Sequence, residues 1–117
     1  MIDRSLEHII AECDVVILTD DQRKIPVTLA IGMPYIEGEM ACCKVFVDNY
    51  LKPTRVTGSD TLQALSGALK LLKIHLVSMV NLGHKIYESD VDFESANLEE
   101  EYAVSLDTLF ATKYEHC

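Results

Sequence analysis

Residues 58–83 read Gly58-Ser59-Asp60-Thr61-Leu62-Gln63-Ala64-Leu65-Ser66-Gly67-Ala68-Leu69-Lys70-Leu71-Leu72-Lys73-Ile74-His75-Leu76-Val77-Ser78-Met79-Val80-Asn81-Leu82-Gly83, and the fold turns on this stretch. Leu62, Leu65, Leu69, Leu72, Leu76 and Met79 recur at alternating spacings of three and four, the period of one face of an α-helix. Ala64, Ala68, Leu71 and Val80 widen the stripe, while Lys70, Lys73 and Ser78 mark the wet side. Asp60 followed by Gln63 has the form of a capping box, in which each side chain satisfies a backbone N–H of the first turn; Ser59 is the competing cap. Gly83 is placed to close the helix in a left-handed conformation. The spacing therefore predicts one long helix over about 60–82. Its stripe covers only about three heptads and lacks flanking charge pairs, so it suits a sheet face better than a coiled-coil seam. Six large side chains buried there, at roughly 1.5–3 kcal/mol each before ordering entropy is subtracted, would be the main hydrophobic contribution.

Outward from the helix the chain is strand-forming. Residues 8–19 are rich in β-branched side chains and end at Asp20-Asp21; 25–31 place Val27, Leu29 and Ile31 on one face. Together they predict a hairpin with a loop of about five residues. Pro26 lacks a ladder donor and fits a first strand position or an edge. A loop around Gly38 leads to a third strand over 40–48, a turn over 49–53 leads to a short fourth over 54–57, and residues 84–88 after the helix read as a last short strand. Residues 89–101 read as an acidic loop, and 103–114 are compatible with a short C-terminal helix through Val104, Leu106, Leu109 and Phe110. The expected fold class is α+β: an antiparallel sheet of about four to five strands packed on one long helix, in a single domain spanning 1–117.

The length of 117 residues, 49% apolar, suits one domain that buries about two-thirds of its unfolded surface without needing a metal or disulfides. The opening Met1-Ile2-Asp3-Arg4-Ser5 does not have the basic-then-apolar order of a secretory signal. The most apolar run, 62–82, carries Lys70 and Lys73 at its centre, which argues against a membrane span of about 20 apolar residues. A cytoplasmic location is expected. Cys13, Cys42, Cys43 and Cys117 then read as reduced, mostly buried thiols.

Charge is unevenly distributed. The net charge is −9; residues 1–85 hold ten acids against nine bases, whereas 86–117 hold nine acids against Lys113 alone. That excess would repel phosphates, so nucleic acid is not an expected partner.

The segment Gly58-Ser59-Asp60-Thr61-Leu62-Gln63-Ala64-Leu65, following a hairpin that ends Val27-Thr28-Leu29-Ala30-Ile31-Gly32-Met33-Pro34, resembles a family of uncharacterised small bacterial α+β proteins. Their turn has the form Gly-x-Asp-Ser-Leu-Gln-Ala-Leu, with Thr61 here in place of the usual serine. The resemblance covers roughly residues 8–88 and implies a fold, with no catalytic residue attached. In size, acidity and lack of catalytic motifs the chain is also similar to bacterial toxin-immunity proteins.

Other constellations are weaker. Zinc sites use close cysteine pairs such as Cys-x₂₋₄-Cys, and Cys42-Cys43 would diverge on a strand. Cys13 or Cys43 could meet His8 or His84 across a sheet, but burial would oppose thiol activation; nothing marks His75 as a base. Asp90-x-Asp92-x-Glu94 with Glu101 at position twelve resembles a calcium loop, yet Ser95 stands where the turn needs glycine. No phosphate loop or nucleophile elbow is present. The expectation is a non-catalytic protein-binding module without metal or cofactor. Its partner would be a basic protein such as a nuclease-type toxin, met by Glu88, Asp90, Asp92, Glu94, Glu99, Glu100 and Glu101, with Tyr87 or Phe93 as apolar anchors. The alternative is a small-ligand protein or enzyme using a pocket between sheet and helix.

Overall fold

Aliphatic side chains at every second position give the strands one face to bury, and the long helix supplies the cover. The computed structural model describes residues 2–88, which form β1 (Ile9–Leu18), β2 (Lys24–Gly32), β3 (Tyr35–Glu37), β4 (Met40–Asp48), β5 (Thr54–Gly58), α1 (Thr61–Asn81) and β6 (Lys85–Glu88). All strand pairings are antiparallel. The expected α+β class holds, with six strands where four to five were expected. The additional strand is β3, read from sequence as loop. It pairs with Met40–Cys42, while β2 pairs with Val45–Asp48 further along β4. Because β5 pairs with Ala41–Val45, β2 and β3 share the opposite edge of β4. β3 therefore continues β2 across an irregularity at 32–34, which Gly32 and Pro34 disguise as a strand end. The expected helix over 103–114 and the acidic stretch from 89 onward lie outside the described residues.

The β1–β2 hairpin closes through the expected five-residue loop. Thr19 N–H donates to the Arg23 carbonyl (2.9 Å), Arg23 N–H donates to Thr19 Oγ1 (2.9 Å), and Gln22 takes a left-handed conformation (φ 68°). Helix α1 starts as its sequence requires: Asp60 Oδ1 accepts from Gln63 N–H at 2.7 Å. The reciprocal arm lands one residue earlier than in a standard capping box, with Gln63 Oε1 accepting from Ser59 N–H at 2.6 Å. At the other end Gly83 (φ 92°) donates to Val80 and His84 N–H to Met79, the paired bonds of a Schellman cap.

The buried face of α1 is rotated relative to the leucine stripe. Ala64, Ala68, Leu72, Leu76 and Met79 are buried, whereas Leu62 is 71% and Leu69 46% exposed. Of the six stripe residues only Leu72, Leu76 and Met79 are fully in the core. The physical reason is a close approach between the helix's first half and the sheet. A Cβ on Gly67 would lie 2.7 Å from Val56 Cγ1, and one on Gly58 2.9 Å from the Ala64 nitrogen. Leucine does not fit in that gap; alanine and glycine do. The helix consequently packs chiefly on β4 and β5, with few contacts to β2 and β6. Val15, Ile17, Val27, Leu29, Ile31, Ala41, Cys43, Val45, Val47 and Ile86 complete the core beneath it. On the opposite face a smaller cluster joins Ile2, Ala30 and Phe46.

The rotated face makes a prediction that the leucine stripe would reverse. Ala68→Leu is expected to destabilise the protein by about 1–3 kcal/mol through overpacking, and Leu76→Ala by about 2–5 kcal/mol through a cavity. Leu62→Ala should stay within about 0.5 kcal/mol. Urea unfolding of the three variants measures all of these.

Candidate functional site

Strand length places the most open part of the sheet. β1 has ten residues and pairs with β2 from Ile9 to Leu18, with a register irregularity between Ile9 and Ala11, but β6 has four and covers only Val15–Leu18. Ile9–Asp14 therefore has no partner on its second edge among the described residues. Five of these six residues, Ile10 to Asp14, are exposed. An edge of this kind presents unpaired backbone N–H and C=O groups.

Side chains give the edge two unlike sides. Towards the helix, Ala11 and Cys13 join Leu29, Ile31, Leu69 and Leu72 around an apolar groove of about 170 Å³. This groove exists because α1 sits over β4 and β5, leaving Leu69 without sheet to cover. Away from the helix stand Glu12 and Asp14. Arg4 pairs with Glu12, and Asp14 Oδ1 accepts from Thr28 Oγ1 at 2.8 Å. Glu88 is exposed at the end of β6, opposite Val15 and so on the helix-facing side, near Cys13.

Of the residues expected to meet a partner, the described structure contains two. Glu88 is on the surface. Tyr87 is 0% exposed, opposite Val16 in the sheet, and so forms no part of the exposed surface. Alternation turns Tyr87 to the face opposite Ile86, which belongs to the helix-side core. Asp90, Asp92, Phe93, Glu94, Glu99, Glu100 and Glu101 lie outside the described residues. Glu12 and Asp14 were not singled out by sequence, although a long first strand against a short last one already implied an uncovered edge.

The cysteines divide by environment. Cys42 and Cys43 are buried, with the Cys43 thiol donating to the Gly32 carbonyl at 3.3 Å. Burial raises the Cys43 thiol above its ordinary pKa. Cys13 is exposed as a residue but lines the groove. Partial burial there raises its thiol pKa too, reinforced by the negative charges of Asp14 and Glu88. Both shifts hold the thiol in its neutral, less nucleophilic form. His84 is engaged in packing the hairpin loop: its Nδ1 accepts from Asp20 N–H at 3.2 Å, and its ring meets Tyr50 edge-on. Among the described residues no three His, Cys, Asp or Glu side chains converge as a metal-binding group, and no helix is long and apolar enough to cross a membrane.

A second depression, of about 320 Å³, lies beyond the Gly32–Pro34 irregularity and is lined by Leu6, Glu7, His8, Met33, Tyr35 and Lys44. Its charged groups neutralise each other, with Lys44 Nζ 2.7 Å from Glu7 Oε1.

Compared with protein-family models, with curated proteins and with solved structures, the chain matches none.

The thiol environments are directly measurable. With iodoacetamide on the folded protein, Cys13 should be alkylated while Cys42 and Cys43 react only after denaturation, as read by peptide mapping. Because a raised pKa lowers the thiolate fraction at any given pH, Cys13 should label more slowly at pH 8 than a free cysteine of pKa about 8.5. Asp14→Asn should speed that labelling by removing a charge that disfavours thiolate.

Proposed function

We propose that this chain is a non-catalytic protein-binding module, an immunity protein that neutralises a basic, nuclease-type bacterial toxin in the cytoplasm. The observation that carries the reading is the charge distribution: nine acids against one base in residues 86–117, on a body with ten acids against nine bases. A nuclease must be basic to hold a polyphosphate substrate, and clustered carboxylates can occupy the same surface. Complementary charge also accelerates encounter, which suits a protein that has to intercept a toxin before it acts.

Local chemistry in the described part agrees with this reading. Cys43 and Cys42 are packing residues, Cys13 is held neutral, and His84 is tied into the hairpin loop. The depression between sheet and helix, at about 170 Å³, is smaller than the roughly 300 Å³ at which small-molecule pockets begin. That supports a binding surface over the alternative of a ligand pocket between sheet and helix. Glu88 carries the acidity onto the end of β6, near Cys13.

The test is protection of cells from a basic nuclease encoded beside this chain's gene, with binding measured on the purified pair. Protection is expected, with an affinity that falls at least about tenfold between low and moderate salt. Replacing Glu99, Glu100 and Glu101 together with glutamine should weaken binding and protection. A triple variant that binds and protects as well as the parent, with no salt dependence, would overturn the proposal.

A further inference from the structure

The first half of β1 has what is needed to accept a strand from another protein: among the described residues the edge of Ile9–Asp14 away from β2 has no partner, its register regular from Ala11 onward, with an apolar groove on one side and Glu12 and Asp14 on the other. We propose that Ile9–Asp14 is a strand-addition site, and that its occupant is an extended segment of a partner protein alternating apolar and basic side chains. The inference rests on the protein-binding reading above and gives that reading a surface on the structured body.

Side-chain alternation specifies the occupant. In a strand laid along this edge, successive side chains point to opposite faces of the sheet. Those on the helix side would extend the wall formed by Ala11, Cys13, Leu69 and Leu72, and an apolar residue there removes apolar surface from water. Those on the other side would stand beside Glu12 and Asp14, where a lysine or arginine is favoured cross-strand and an acid is not. Glu88, opposite Val15 at the end of β6, lies instead on the helix-facing side near Cys13, while Arg4 is paired with Glu12 on the other side. Main-chain hydrogen bonds would supply affinity, and the two faces would select the sequence.

The same charges argue against a second copy of this chain as the occupant. Antiparallel self-pairing of residues 9–14 would bring two Glu12 and two Asp14 side chains together on one face, and like charges in neighbouring cross-strand positions are destabilising. Each chain also carries a net charge of −9, so association starts from mutual repulsion. Charged side chains on an open edge are a common way to block self-association while leaving the edge available to a complementary strand.

The experiment uses the full chain and a synthetic seven-residue peptide alternating lysine and valine, with blocked ends, followed by amide NMR. Saturable binding is expected, with the largest shifts at residues 9–14. The glutamate–valine counterpart should bind at least about tenfold more weakly. Because alternate residues of a strand direct their backbone groups to opposite edges, N-methylating all the valines and N-methylating all the lysines should differ: one change abolishes binding and the other spares it. Leu69→Ser, a change at an exposed position, should weaken the peptide without unfolding the protein. Absence of binding, equal binding of the glutamate peptide, equal tolerance of both N-methylation patterns, or sedimentation showing a dimer built on this edge would each overturn the proposal. None of these results bears on whether neutralising Glu99–Glu101 abolishes protection from a toxin, so the two readings fail separately.

Discussion

The close seating of the first half of α1 on β4 and β5 determines where everything else can go. Gly67 faces Val56 with no room for a Cβ, and Ala64 and Ala68 are fully buried beside it. Small residues let the helix backbone approach, and the larger Leu72, Leu76 and Met79 fill the wider gap further along. A helix held this way covers one side of the sheet. The first half of β1 is left with a groove on its helix-facing side, and Leu62 and Leu69 are left at the surface.

That asymmetry gives the two sides of the molecule different roles. On the covered side, Cys43, Val45 and Val47 meet the helix in a packed core. At the other edge of the sheet β6 covers only Val15–Leu18, so among the described residues Ile9–Asp14 has no second partner, with Glu12 and Asp14 on one face and Glu88 near Cys13 on the other. In the proposed function, charge attracts a basic partner over distance, and the edge with its apolar groove offers short-range contacts once that partner arrives.

Much of the fold was legible because its signals are local. The hairpin loop, the Asp60–Gln63 cap, the Gly83 termination and the extent of the helix follow from residue types at fixed offsets. The helix's buried face was not legible in the same way. The leucine stripe and the Ala64–Ala68 row both have helical period, and which one faces the sheet depends on the helix–sheet distance, set by Gly67 and Gly58. β3 was hidden because Gly32 and Pro34 break the strand pattern at an irregularity that the ladder spans. For the site, sequence assigned both Tyr87 and Glu88 to the surface, whereas Tyr87 is fully buried on the face opposite Ile86, a burial that strand pattern alone does not reveal. Glu12 and Asp14 went unremarked because their importance lies in a missing neighbour, a property of strand lengths and pairing.

The account depends most directly on the first half of β1 being open in the protein by itself. Amide hydrogen exchange resolved along β1 measures this. Every amide of Val15–Leu18 should be protected, because β2 and β6 flank it on both edges, whereas alternate amides across Ile9–Asp14 should exchange rapidly. Uniform protection of Ile9–Asp14 in the isolated chain would mean that this edge is already occupied, and would contradict the account.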